Sequence, residues 1–244
     1  MPEDGRDPIR AAQANMRARP MARFYQHASV EAASGGGFAL RLDGREARTP
    51  GKRALRLSNR ALAELIAAEW EAQGATIDPA TMPATRLANS AIDGVAEAME
   101  ETRAEVARYA GADLVCYRAG APEALTHLQA AAFDPVIAWA EGALGVRFVC
   151  SASLAHVAQP QASLDAVRAA IDAFDSPFAL AGLHVMTSLT GSALLALLVA
   201  RGALSPADAW RVAHVDEDFQ IAAWGADEEA SARRATRWRD FEAA

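Results

Sequence analysis

A chain of 244 residues with 52% hydrophobic and 23% charged residues has apolar material for one or two globular cores, which excludes a wholly disordered or fibrous class. Its net charge of −7 is unevenly spread: residues 1–60 carry twelve Arg or Lys against six Asp or Glu (+6), and residues 61–244 carry twelve against twenty-five (−13). An acidic body argues against phosphate-backbone binding as the main task, because nucleic-acid binders need clustered cations to displace counterions.

The opening residues 1–22 contain no apolar run and include Glu3, Asp4 and Asp7. They match neither a secretory signal nor an acid-poor transit peptide, and read as a disordered tail of a cytoplasmic protein. Phe38–Leu42 then alternates like a half-buried strand, Asp43-Gly44 is a two-residue hairpin turn, and Arg45–Thr49 is the returning strand. Ala54–Leu57 predicts a further strand, and Ser58 is placed to cap a helix in which Leu62, Leu65, Ile66 and Trp70 follow helical spacing. Residues 23–90 therefore read as a small α/β domain.

Beyond Pro83 the pattern is helical almost throughout, and residues 91–244 read as a mainly helical domain. The expected helices run over residues 85–99, 100–110, 123–144, 164–174, 178–200, 206–224 and 227–241. Residues 113–118 and 146–151 are candidate strands or extended links, with β-branched and aromatic residues after glycines. Residues 178–200 are long enough to span a bilayer and carry no Asp, Glu, Lys or Arg. His184, Thr187, Ser188, Thr190 and Ser192 within the segment favour instead a helix buried in protein, so no stable membrane insertion is expected.

Chemistry-bearing patterns are sparse. Cys116 and Cys150 have no CxxC spacing and read as structural thiols. Ser192 lacks a GxSxG elbow, and no phosphate loop is present. The densest polar cluster is His214-Val215-Asp216-Glu217-Asp218, followed by Gln220, Trp224 and Asp227-Glu228-Glu229. On a helix His214 lies one turn from Glu217 and Asp218, the spacing that a metal-dependent hydrolase could use, although a solvated acidic face is the simpler reading. In the same helix Val212, Val215 and Phe219 recur on a core-facing stripe, whereas Asp216, Gln220 and Trp224 form a separate strip at i, i+4 and i+8 with no core to serve. An aromatic beside a carboxylate and an amide suits a recognition surface.

In chain order, Arg23-Phe24-Tyr25-Gln26, Gly36-Gly37-Phe38, Leu42-Asp43-Gly44-Arg45, Thr49-Pro50, Ala68-Glu69-Trp70 and Gln73 are followed by the run Thr81-Met82-Pro83-Ala84-Thr85-Arg86-Leu87-Ala88-Asn89. Cys116-Tyr117-Arg118, Pro122-Glu123, Asp134-Pro135, Trp139-Ala140, Phe219-Gln220-Ile221 and Trp224-Gly225 continue the series. Together, over about residues 23–229, they resemble the F1-ATPase assembly chaperone of the α subunit, a family of mitochondria and of bacteria related to their ancestor. The resemblance implies an α+β fold, a small N-terminal α/β domain followed by a mostly helical one. It also implies binding of unassembled F1 α subunit with no catalytic turnover. Separately, a monomer with no cofactor or metal is expected, in the bacterial cytoplasm or, in a eukaryote, the mitochondrial matrix. A carboxylate just before the aromatic-Gln pair matters in that family, and here it falls on Asp216 or Glu217. Asp216, Glu217, Gln220 and Trp224 are accordingly the expected partner-binding residues.

Overall fold

The structure is a computed structural model that describes residues 21–153 and 155–244. Its fold is α+β: a small sheet region comes first and helices follow. The chain divides into two compact units between Met99 and Glu100.

In the first unit, strands β2 (Ala28–Ala32), β3 (Phe38–Leu42), β4 (Arg45–Glu46) and β5 (Arg56–Leu57) form one antiparallel sheet around β3. The expected turn is present, with Asp43 (φ 47°) and Gly44 (φ 77°) both left-handed, as a tight hairpin requires. Strand β2, unanticipated, pairs in register with β3 from Ala28 opposite Leu42 to Ala32 opposite Phe38. The tail expected over residues 1–22 falls outside the described residues as far as residue 20. Met21–Ala22 form a short strand, β1, antiparallel to β6 (Thr76–Ile77). Leu40, Leu55 and Leu57 of the sheet and Ile66 of helix α1 (Arg60–Glu71) are buried in the core. Asn59, not the expected Ser58, caps that helix: its Oδ1 accepts from Leu62 N at 2.8 Å.

Polar side chains lock this unit where the family-like motifs fall. Tyr25 Oη donates to Trp70 O (2.6 Å), and the Arg23 guanidinium donates to the carbonyls of Tyr25, Gln26, Glu71 and Gln73. The Asp43 carboxylate accepts from the backbone N–H groups of Gln26 and His27, and those bonds hold its pKa below the ordinary value. Glu69 reaches the N-terminus of α2 (Pro83–Asp93), where it accepts from Ala84 N (2.7 Å), Thr85 N (2.7 Å) and Thr85 Oγ1 (2.6 Å). A carboxylate there satisfies first-turn donors and opposes the positive end of the helix dipole.

The second unit contains α3 (Met99–Tyr109), α4 (Glu123–Leu144), α5 (Gln161–Asp172), α6 (Pro177–Thr190), α7 (Ala193–Ala200), α8 (Pro206–Ala213), α9 (Val215–Trp224) and α10 (Glu228–Ala243). Two expected helices are each divided. The one predicted over 178–200 breaks at Gly191, whose left-handed φ of 71° ends α6, and Ser192 then caps α7 by accepting from Leu195 N. Ser192 is thus a buried cap rather than a packing residue inside a helix. Beyond the division α7 is buried on nearly every side, so its apolar residues show no amphipathic period. No helix among the described residues is long and apolar enough to cross a membrane.

Asp113 is fully buried beneath this break, with Oδ2 accepting from Leu194 N and Oδ1 from Val115 N. Burial raises its pKa to about 6, a shift that its hydrogen bonds, chiefly from Ser192, only partly offset. Of the two extended segments expected nearby, Leu114–Cys116 is a turn of 3-10 helix. Tyr117 and Ser151 form a parallel bridge, with Ser151 N donating to Cys116 O and Arg118 N to Ser151 O, each at 2.8 Å.

Candidate functional site

The helix predicted over 206–224 is also two helices. His214, with φ −115° and ψ 19°, separates α8 from α9. Its ring is buried against Trp210 at a centroid distance of 3.9 Å, and Nδ1 donates to Trp210 O at 2.7 Å. Burial lowers its pKa, which favours the neutral imidazole. The change of direction at His214 gives α9 its own orientation. No residue of α9 is fully buried, and Val215 and Phe219, expected to face the core, are only half-buried.

Asp216, Glu217 and Asp218 occupy the first turn of α9, where the helix dipole favours anions. They have different partners. Asp216 Oδ1 accepts from Gln129 Nε2 of α4 at 2.6 Å, and Gln129 Oε1 accepts from Ala119 N at 2.6 Å. Gln129 is 3% exposed, so a buried amide fixes the position of an exposed carboxylate. That partner is neutral, and the contact leaves the charge of Asp216 uncancelled. Glu217 and Asp218 turn toward Arg234 of α10, Asp218 Oδ1 lying 2.5 Å from Nη1 and Glu217 Oε2 3.9 Å from Nε.

Gln220 is exposed, and Trp224 ends the helix at 88% exposure. Gly225 follows with φ 88° and ψ 163°, a region essentially closed to residues with a Cβ, so the chain turns away directly after the indole. Asp216, Gln220 and Trp224 thus share one exposed strip, whereas Glu217 lies toward α10.

Beside this strip runs an open, mainly apolar groove of about 740 Å³. Its floor is a stripe of α4 that includes Leu128, Ala132, Pro135 and Trp139, and Val212, Val215 and Phe219 form the opposing wall. Asp208, Arg211 and Asp218 are the charged residues among its lining, and Asp208 pairs with Arg211 at 2.8 Å. The spacing 128, 132, 135, 139 is visible in the sequence, but an identical stripe would serve a closed core, so the groove itself is not. The partnership of Gln129 with Asp216, 87 residues apart, has no sequence signal either.

The residues of the metal-hydrolase alternative are not brought together as ligands. His214 commits Nδ1 to a carbonyl and is buried, while Glu217 and Asp218 engage Arg234. Among the described residues no group of three or more His, Cys, Asp or Glu side chains could hold a metal ion.

Comparison with known proteins gives a consistent result. The family described as ATP12 chaperone protein matches residues 22–141. The crystal structure of Atu1473 from Agrobacterium tumefaciens, a candidate chaperone, is similar with a TM-score of 0.88 and 44% identity, over 98% of this chain and 90% of its own. Atp12 from Paracoccus denitrificans is similar with a TM-score of 0.84 and 41% identity, over 91% of this chain and 95% of its own. An aspartate-to-lysine mutant of the P. denitrificans protein matches at the same identity and TM-score.

Proposed function

The chain belongs to the ATP12 chaperone family, and on that footing we propose that it binds the unassembled α subunit of F1-ATPase and promotes assembly of the F1 part of ATP synthase, without catalytic turnover. The observation that supports a binding role is the placement of an 88% exposed Trp224 and an exposed Asp216 on one strip beside an open apolar groove. A monomeric soluble protein seldom leaves that combination uncovered without a partner for it. A subunit destined for a hexamer carries interfaces that are apolar until paired, and a transient partner that covers them keeps the subunit competent to assemble. On this reading Trp224 and the groove supply apolar contact. Asp216 and Gln220 supply orientation and specificity, as polar groups at a rim do. Glu217 belongs to the site less directly, through the ion pair that braces α9 against α10.

The test is capture of separately expressed F1 α and β by the tagged chain and by its Asp216→Asn variant. Asparagine keeps an oxygen for Gln129 and removes only the charge. The reading expects α to be retained and β not, with several-fold weaker retention by the variant. Equal capture of β, or no capture of α shown able to assemble, would contradict it. Reversing Glu217 as well would set a cation against Arg234 and confound folding with binding.

A further inference from the structure

Four features of the groove together specify what fills it. Its floor on α4, from Leu128 to Trp139, advances by eleven residues, which at 1.5 Å per residue is about 16 Å or three helical turns. Small side chains stand on both sides, Ala131 and Ala132 on α4 and Ala222 on α9, so a backbone can approach closely. Pro135, inside α4, lines the groove beside Ala131, and its ring adds a rigid apolar surface to the floor. Finally, the bond between Gln129 and Asp216 joins the immediate neighbours of two lining residues, Leu128 and Val215. It holds at the groove's edge a carboxylate whose charge its neutral partner does not cancel.

Resting on the proposed binding of F1 α, we infer that the groove takes one amphipathic helix of the client, two to three turns long, with an apolar stripe facing α4 and an Arg or Lys at its edge meeting Asp216. Helical walls favour a helical occupant, whose ridges interdigitate with theirs. An acidic lip favours a basic flank, and the second unit as a whole is acidic: residues 100–242 hold nineteen Asp or Glu and eleven Arg, a net of −8.

Ala131 is exposed on a helix, so Ala131→Arg is expected to leave the fold intact while placing bulk and a cation in the groove. Binding of purified F1 α to the full chain and to this variant would be measured by biolayer interferometry, with a thermal melt on each. Amide exchange of the wild-type chain and of α would be followed with and without the partner. The inference expects at least tenfold weaker binding by Ala131→Arg with its melting temperature unchanged. It also expects slower exchange in residues 215–224 on complex formation, and protection in α of a helix carrying an apolar stripe and an Arg or Lys. Between 50 and 500 mM salt, affinity should fall less steeply for Asp216→Asn than for the wild type. Wild-type binding of α with Ala131→Arg within twofold and exchange over 215–224 unchanged would overturn the groove inference and leave the proposed function standing. Protection of an extended strand or loop in α would also overturn it, as would a small apolar molecule retained in the groove on native mass spectrometry and lost in Ala131→Arg while α binding persists. If the wild-type chain fails to bind α, both readings fall.

Discussion

Replacing Trp224 by alanine separates binding from stability, because the side chain is exposed. The side chain is 88% exposed at the last position of α9, so its removal opens no cavity and is expected to change folding stability by no more than about 0.5 kcal/mol. Its effect on binding is set by area. A tryptophan can bury roughly 200 Å². With 88% of that free to be covered, full burial is worth at most about 4 kcal/mol at roughly 25 cal/mol per Å². Ordering of the side chain on binding and incomplete coverage reduce this, and about 2 kcal/mol, close to thirtyfold in Kd, is the expected loss for an aromatic anchor. Titration calorimetry of Trp224→Ala against purified F1 α, beside urea denaturation of the variant alone, measures both quantities. Affinity within twofold of wild type would refute the assignment of Trp224 as an anchor. A large loss of stability would refute the premise that it serves no core.

Three further outcomes follow from the buried polar groups. Glu69→Ala removes the acceptor for Ala84 N, Thr85 N and Thr85 Oγ1 where Ala84 and Thr85 are both buried, and should cost about 2–4 kcal/mol in chemical denaturation, at one to two kcal/mol for each unsatisfied backbone donor. Asp113 has a folded pKa raised to about 6 from 3.8, so between those values the unfolded chain loses this proton first and the folded state loses stability as pH rises, by on the order of 3 kcal/mol. The stability of wild type relative to Asp113→Asn should therefore fall from pH 4 to pH 7, and a difference independent of pH would contradict the assignment. Cys116 is buried and its thiol pKa is raised, by burial first and by Asp113 next, whereas Cys150 is exposed. An aromatic disulfide reagent should modify one thiol per folded chain, and none in Cys150→Ser; prompt reaction of two would be the contrary result.

The sequence reveals elements wherever a local period is strong. Phe38–Leu42 with its Asp43-Gly44 turn is legible because alternation and turn chemistry agree, and α4 over Glu123–Leu144 because its termini carry a leading Pro122 and a closing Gly145. The divisions at Gly191 and His214 are not drawn from the helical pattern, since helix-compatible residues resume directly after each and the break lies in the backbone angles. Strands β1 and β6 have two residues each, too few for a period to register. Much of the family-like motif content proves to be scaffold: Arg23, Asp43, Glu69 and Gln73 spend their polar atoms on backbone groups of their own unit. At the candidate site the strip of Asp216, Gln220 and Trp224 could be drawn from helical spacing alone. The groove beside it could not, because whether Val215 and Phe219 are covered depends on how α9 lies against α4.

Chaperoning of α is measured most directly by light scattering of F1 α diluted from urea into buffer containing increasing amounts of the chain, with F1 β treated in parallel. Aggregation of α is expected to be suppressed with saturation near one chain per subunit, the recovered α to enter hexamers when β is added, and aggregation of β to be unaffected. Suppression of neither subunit, or equal suppression of both, would contradict it.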